Sequence, residues 1–422
     1  MASQTVFHKR LEMRSPTRQR VMGIIFILFA LFIWGFFARS VTTDQVASFG
    51  LAPGGVASQL PPWQVPALAT LYGLAVVTAI LGGIQLARGF ERWTNWVLSI
   101  VVAFFVFSFL VWATAGKSLN LAGLISTTLS KAVPITLGAL SGILCERAGV
   151  VNIAIEGMML SGAMMGALVG SLTKDLWLGL LSAIIVGALM ALILAVLSIK
   201  YKTDQIIAGT VINIFATGLT SYISAKFMQT YEVLNNPGLF APWAIPGLAE
   251  IPFIGPILFN NNLFTYALFI FLIVLHVGLF YTVWGLRVRS VGEHPKAADT
   301  LGIDVIKTRY TSVILGGMMA GFAGAYFTLG SVGRFDEVMT AGRGFIGLAA
   351  MIFGNWTPFG SFGAGLLFGF ADSLASRLAI LQIKIPSQFL LMAPYIATMI
   401  VLAGVIGRSR APAADGEAYE KE

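Results

Sequence analysis

The run LWLGLLSAIIVGALMALILAVLS, Leu176–Ser198, carries no charge over 23 positions. At about 1.5 Å per residue such a helix is about 35 Å long, enough to cross the ~30 Å hydrocarbon core of a bilayer. Lys174 and Asp175 precede it, and Lys200 and Lys202 follow. The charges stop where the apolar run begins and resume where it ends, as they do at the edges of a membrane.

Runs of the same kind recur along the chain. The pattern predicts further helices near 21–38, 67–86, 96–115, 122–144, 151–171, 206–224, 263–284, 310–330, 342–355, 360–380 and 389–407. The segments at 342–355 and 360–380 are short or broken by Gly, so the expected count is 10–12 spans. Composition agrees. The chain is 57% hydrophobic and only 11% charged, against about 25% charged in a soluble domain. The expected fold is all-α, a polytopic transmembrane helical bundle in a single membrane domain.

The net charge of +8 could signal nucleic-acid binding, but the basic residues cluster between the apolar runs, as the positive-inside rule requires of a membrane protein. Lys9, Arg10, Arg14, Arg18 and Arg20 precede the first run, which is read as a retained span because it is long and no small-x-small cleavage site follows. With that basic segment in the cytoplasm, Arg88, Arg92, Arg147, Lys200, Lys202, the stretch Arg287–Arg309, Arg408 and Arg410 all fall on the same side. Both termini are then cytoplasmic. The segments 39–66 and 225–262 fall outside, the second an ordered cap rich in Pro (Pro237, Pro242, Pro246, Pro252, Pro256). The tail after Gly407 is short, polar and expected to be disordered.

Cys145 is the single cysteine, so no intrachain disulfide is expected, and three histidines without ligand spacing predict no metal site and no cofactor. The nearest approach to a phosphate loop, Gly116-Lys117-Ser118, has Val111 where the first Gly belongs and follows a predicted span instead of a strand. If ATP drives this protein, another chain binds it. A membrane-embedded enzyme is disfavoured, since no paired carboxylates, His cluster or nucleophile elbow is present.

One pattern suggests transporter architecture, and another close helix packing. Ala148–Met158 (AGVVNIAIEGM) echoes Ala341–Met351 (AGRGFIGLAAM), and in the expected topology the copies begin on opposite sides of the membrane, as inverted repeats do. The spacings Gly162-x-x-x-Gly166, Gly317-x-x-x-Gly321 and Gly365-x-x-x-Gly369 read as close helix packing.

Polar groups inside apolar runs are the candidate pathway residues, because they are costly there without a partner, cavity or ligand. Asn152 and Glu156 are four apart, the spacing of one helix face; Asn213 lies mid-span and Lys131 within a span. Each has a structural alternative. Glu156 could cap a helix or pair with Arg147, Lys131 could snorkel, Asn213 could bond a neighbouring helix, and Asp372 could pair with Arg377. Phe345, Phe353 and Trp356 could stack on a base, although most of the 31 Phe must be packing.

The most informative soluble stretch is Gly285–Gly302, GLRVRSVGEHPKAADTLG, with a short surface helix predicted from Pro295. Its part VGEHPKAADTLGI, 291–303, resembles the coupling segment of permeases in the ribose, nucleoside and branched-chain amino acid ABC importer superfamily. The resemblance implies that Gly292, Glu293, Ala297, Ala298 and Gly302 form the surface that docks on an ATPase. His294 stands where Asn is common. The block Cys145–Leu160 resembles the nucleoside branch most closely and lacks the IDLSVGS-like run of simple-sugar permeases. Asp204–Asn213 with Gly218-Leu-Thr220, and Phe370-Ala-Asp372 with Arg377 and Pro394-Tyr395, fit the same branch.

The resemblance covers about 120–407. It implies a permease core there, an extension of about three spans at 1–119 and a cytoplasmic tail at 408–422. It further implies a non-enzymatic subunit of the bacterial cytoplasmic membrane that translocates nucleosides; the residues read above as its expected pathway are Asn152, Glu156, Asn213, Lys131, Phe345 and Asp372. The implied partners are a cytoplasmic ABC ATPase, a second homologous permease and an extracellular substrate-binding lipoprotein. The alternatives are a simple-sugar or branched-chain amino acid permease, or an ion-coupled secondary transporter that needs no ATPase.

Overall fold

The computed structural model describes residues 16–52, 60–381, 392 and 410–421. Among them, ten helices are long and apolar enough to cross a membrane. The expected span at 389–407 and the Pro394-Tyr395 pair lie outside the described residues.

The chain divides into two compact units. The first runs to Gly123 and takes in the residues after Ser376 at the end of the last described helix; the second runs from Leu124 to Ser376 and takes in the tail. In the first unit, α1 (Pro16–Phe32), α2 (Ala67–Ala87) and α3 (Thr94–Ala113) are spans. Within 39–66, expected to be an external connection, the described residues include two strands. β1 (Val46–Gly50) pairs antiparallel with β2 (Trp63–Pro66) and parallel with β3 (Ser118–Asn120). Alternation explains β1, in which Ala47 and Phe49 are fully buried while Val46 is exposed. Gly116 and Lys117 lead into β3, and the Lys117 ammonium donates to the Leu381 carbonyl. An aromatic cluster of Phe29, Phe32, Phe37, Phe105 and Trp112 packs α1 against α3.

The second unit contains α4 (Leu121–Glu146, whose first residues belong to the first unit), α5 (Ile155–Thr173), α6 (Leu176–Ala195) and α7 (Gln205–Ile223). A loop segment bearing β4 (Trp243–Ala244), α8 (Ile254–Leu258) and β5 (Asn260–Asn261) follows, then α9 (Leu263–Tyr281), α10 (Val283–Glu293), α11 (Pro295–Thr300) and α12 (Val305–Ala325). Finally come α13 (Arg343–Phe353) and α14 (Pro358–Ile380). Side-chain caps fix several helix starts: Asp175, Asp204, Asn262 and Asp304 each accept a backbone N–H in the first turn.

The core is the crossing of α5, α6 and α12, and glycine makes it possible. A Cβ on Gly162 would lie 2.8 Å from the Gly321 Cα and carbonyl oxygen, while one on Gly317 would strike the Ala191 methyl. The Gly-x-x-x-Gly spacings therefore act as backbone contact points, as expected. The Pro-rich segment 225–262 is ordered by its polar groups. Asn235 and Phe335 exchange hydrogen bonds of 2.9 and 2.7 Å, and the Tyr266 hydroxyl donates to the Trp243 carbonyl.

Three expectations need correction. The helix expected over 151–171 begins at Ile155, because Gly149 takes a left-handed φ of +82° and residues 147–154 are held by distant partners. The helix expected over 342–355 is 11 residues long. At about 16 Å it cannot cross a bilayer alone. The tail expected to be disordered is instead docked from 410 to 421, with Pro412 and Ala414 buried.

Candidate functional site

The two broken elements, the unwound segment before α5 and the short helix α13, are tied together by Glu156. Its Oε1 accepts the Thr340 hydroxyl at 2.6 Å and the Gly342 N–H at 2.8 Å, and its Oε2 accepts the Gly344 N–H at 2.6 Å. The first turn of any helix leaves N–H groups without internal partners and carries partial positive charge. No side chain of α13's own sequence caps this end. A carboxylate delivered from α5 does so instead. Glu156 is thus a capping group, as one alternative allowed, but for α13. Arg147, its other expected partner, donates to the Trp356 carbonyl at 3.0 Å.

Asn152 and Glu156 do not share a helix face, since Asn152 precedes α5. It is fully buried; its amide donates to Cys145 Sγ, and its Oδ1 has no partner among the described residues. Asn213 braces the same unwound segment from α7: its Oδ1 accepts the Gly157 N–H at 2.8 Å and its Nδ2 donates to the Ile153 carbonyl at 2.9 Å. This matches the helix-bonding alternative for Asn213. A Cβ at Gly157 would sit 2.9 Å from the Asn213 Oδ1, so glycine is what admits the amide.

A second cluster joins α4, α13 and α14. The Lys131 ammonium lies 3.2 Å from Asp372 Oδ1 and donates to the Ser376 hydroxyl at 2.8 Å. The Arg343 guanidinium approaches Asp372 Oδ2 at 3.6 Å and lies 5.8 Å from the Phe327 ring centre. Asp372 therefore pairs with Lys131 and Arg343, and Arg377 lies beside Gly123. The three charged side chains keep between 26% and 30% of their surface accessible. Phe345, on the same short helix as Arg343, is 48% exposed. Phe353 packs on Phe368, and Trp356 is buried with its indole N–H on Glu146. Of the three aromatic candidates, Phe345 alone offers an open ring. The sequence reading did not single out Arg343 or Thr340, although a cation heading a glycine-flanked short helix is itself a signal.

The third candidate surface is the α10–α11 segment. The His294 imidazole Nδ1 accepts the Ala297 N–H at 3.2 Å, so it caps α11 as an Asn would. Gly302, at φ +81°, ends that turn with its N–H on the Asp299 carbonyl. Gly292 is buried because a Cβ there would strike the Arg147 carbonyl. Ala298 is buried in a small apolar cluster with Val291 and Val305, whereas Ala297 and Glu293 face outward. Leu301 is 82% exposed, and nothing in the local sequence marked it.

The family model described as branched-chain amino acid transport system / permease component matches residues 124–407, starting at the residue where the second unit begins. The guanosine ABC transporter permease protein NupQ of Bacillus subtilis is 41% identical, over 71% of this chain and 96% of that protein. The nucleoside ABC transporter permease protein NupC of Lactococcus lactis is 38% identical over the same shares. A putative glucose ABC transporter permease protein, TsgC13 of Haloferax volcanii, is 32% identical over 71% of this chain and 98% of that one. No solved structure matches.

Proposed function

The chain belongs to the branched-chain amino acid transport system / permease component family, a family of multi-pass membrane transport subunits, and from that premise we propose that it is the permease of an ATP-driven importer of nucleosides. The observation that carries the substrate is the 41% identity to a guanosine permease over nearly all of that protein's length. The machinery lies in 120–407, with 1–119 an added extension and both termini cytoplasmic. ATP is hydrolysed on a separate ATPase chain, a second permease completes the pathway, and an external lipoprotein delivers substrate.

The geometry supports a division of labour among the candidates. Lys131, Asp372 and Phe345 keep accessible surface, offering charge-assisted hydrogen bonds to ribose hydroxyls and a ring face to a base. Asn152, Glu156 and Asn213 act behind them, holding the unwound segment and α13 in one arrangement. A nucleoside is polar but uncharged, so such contacts hold it without a large desolvation cost. On the cytoplasmic side α11 presents Ala297, Leu301 and Gly302 to the ATPase, while Gly292 transmits movement to the Arg147–Gly149 backbone that leads into the unwound segment. Sugar import is the second reading, favoured by the similarity to the putative Haloferax glucose permease. Liposomes holding the permease pair and ATPase, fed labelled guanosine, ribose or leucine, test the reading. ATP-dependent accumulation of guanosine supports it, and uptake without ATP or ATPase overturns it.

A further inference from the structure

The docked segment 410–421 touches α10, α11 and α12 and the loops after α6 and α13. Its Ala414 N–H donates to the Gly292 carbonyl at 2.9 Å, its Ala413 N–H to Glu293 Oε2 at 3.3 Å, and its Arg410 N–H to Asn355 Oδ1 at 2.9 Å. Arg309, fully buried at the start of α12, donates to the Glu417 carbonyl at 2.8 Å. The Lys202 ammonium after α6 pairs with Glu420 at 2.6 Å. The Tyr419 ring packs on the Val291–Ala298–Val305 cluster under α11, and the Asp415 carboxyl faces that of Glu146 at the end of α4.

The receiving surface is shaped for this segment. A Cβ on Gly149 would lie 2.9 Å from Arg309 Nη2 and 3.0 Å from the Ala414 carbonyl oxygen. Gly416 takes a φ of +82° beside Val151. Arg309 would otherwise be a buried cation with little to neutralise it, and the segment supplies a carbonyl and the nearby Asp415. An adventitious peptide would not leave glycine clearances on both sides and give a buried arginine its acceptor, the Glu417 carbonyl on Nη1.

Resting on the importer reading, we propose that residues 410–421 are a transmission strap that positions α11, so that force from the ATPase reaches the ends of α4 and α12 through it. Ala414, Tyr419 and Glu417 are positioning residues: they seat the docking helix and need not contact the ATPase. α11 has only two turns and one apolar contact of its own, Ala298. Without the strap it is held by its chain links to α10 and α12 and by Ala298 against Val291 and Val305, and can tilt without moving the spans. The expected consequence is hydrolysis that continues while import falls.

The test uses the full complex in liposomes and counts ATP hydrolysed per guanosine imported. Tyr419→Ser and Gly416→Val should raise that ratio about tenfold, with the ATPase still co-purifying and permease levels unchanged; Tyr419→Phe should restore it. Deletion of 410–422 should do the same, and the point variants decide the matter if the deletion fails to insert. A spin label at Ala418→Cys reports whether the strap has left its seat. A released strap with an unchanged ratio overturns the inference and leaves the importer reading intact. A wild-type complex that hydrolyses ATP but imports no guanosine overturns both.

Discussion

Glu156 Oε2 accepts the backbone N–H of Gly344 at 2.6 Å across 188 positions of sequence. The bond fastens the first turn of α5 to the first turn of α13. With the Thr340 hydroxyl and the Gly342 N–H on the other carboxylate oxygen, it makes one side chain the joint between the two broken elements of the second unit.

Glu156→Ala should therefore act on folding first. Two buried donors and the part-buried Gly342 N–H lose their acceptor, the buried ones costing about 1–3 kcal/mol each when left unpaired. The expected outcome is less folded permease in the membrane and a lower unfolding temperature in detergent. Glu156→Gln keeps one acceptor oxygen and should lie between. Gly344→Ala should resemble Glu156→Ala, because its Cβ would lie 2.7 Å from the Glu156 backbone. Normal thermal stability with altered nucleoside selectivity in Glu156→Ala would make the carboxylate a substrate contact instead.

The spans were legible because a bilayer imposes length and apolarity on a helix whatever surrounds it; Leu176–Ser198 needs no tertiary information. The face shared by Asn152 and Glu156 was not legible. Spacing of four means one face only where a helix exists, and what unwinds 147–154 is a left-handed Gly149 together with bonds from Gln205 and Asn213, more than fifty residues away. The Glu156 cap and the docking of 410–421 were hidden for the same reason. Pro412, Ala414 and Tyr419 are too few to signal a packed element, and their partners lie more than a hundred residues upstream.

Lys131 and Asp372 should behave as a pair with a transport role. Lys131→Met leaves Asp372 with Arg343 alone, and Asp372→Asn leaves two cations facing each other. Each should lower guanosine uptake per molecule by about tenfold or more, while the partly exposed pair adds only about 1 kcal/mol to stability. The double variant Lys131→Met/Asp372→Asn should recover part of the uptake. Quantifying uptake against protein in the membrane separates this from a purely structural pair, for which rate per molecule would stay constant.

Leu301→Asp should release the ATPase without harming the permease. The side chain is 82% exposed, so little of its packing is lost on folding, and stability should change by about 0.5 kcal/mol or less. Gly302→Val acts differently. A β-branched residue at φ +81° is strained by about 1–3 kcal/mol and re-aims the end of α11. Co-purification should fail for Leu301→Asp, and for Gly302→Val hydrolysis should persist with reduced uptake. Full ATPase retention and full uptake in both would remove α11 from the docking surface.

Seating of 410–421 should depend on pH through Asp415. Burial pushes its carboxyl up from the ordinary 3.8 to about 6, with Glu146 and Arg309 drawing it back down. The groups facing it are Glu146 and Cys145 from α4 and Arg309 from α12. The seated form holds its proton to higher pH than the free form, so seating is favoured by acid and weakens as pH rises from 3.8 through 6, then levels off. Between pH 5 and 7.5 the seating equilibrium should shift toward release. A spin label at Ala418→Cys should be less mobile at pH 5 than at pH 7.5. Asp415→Asn has no proton to lose, so it should remove the pH response over that interval. Equal mobility at both pH values in the wild-type chain, or an unchanged response in Asp415→Asn, would show that a different group controls the strap.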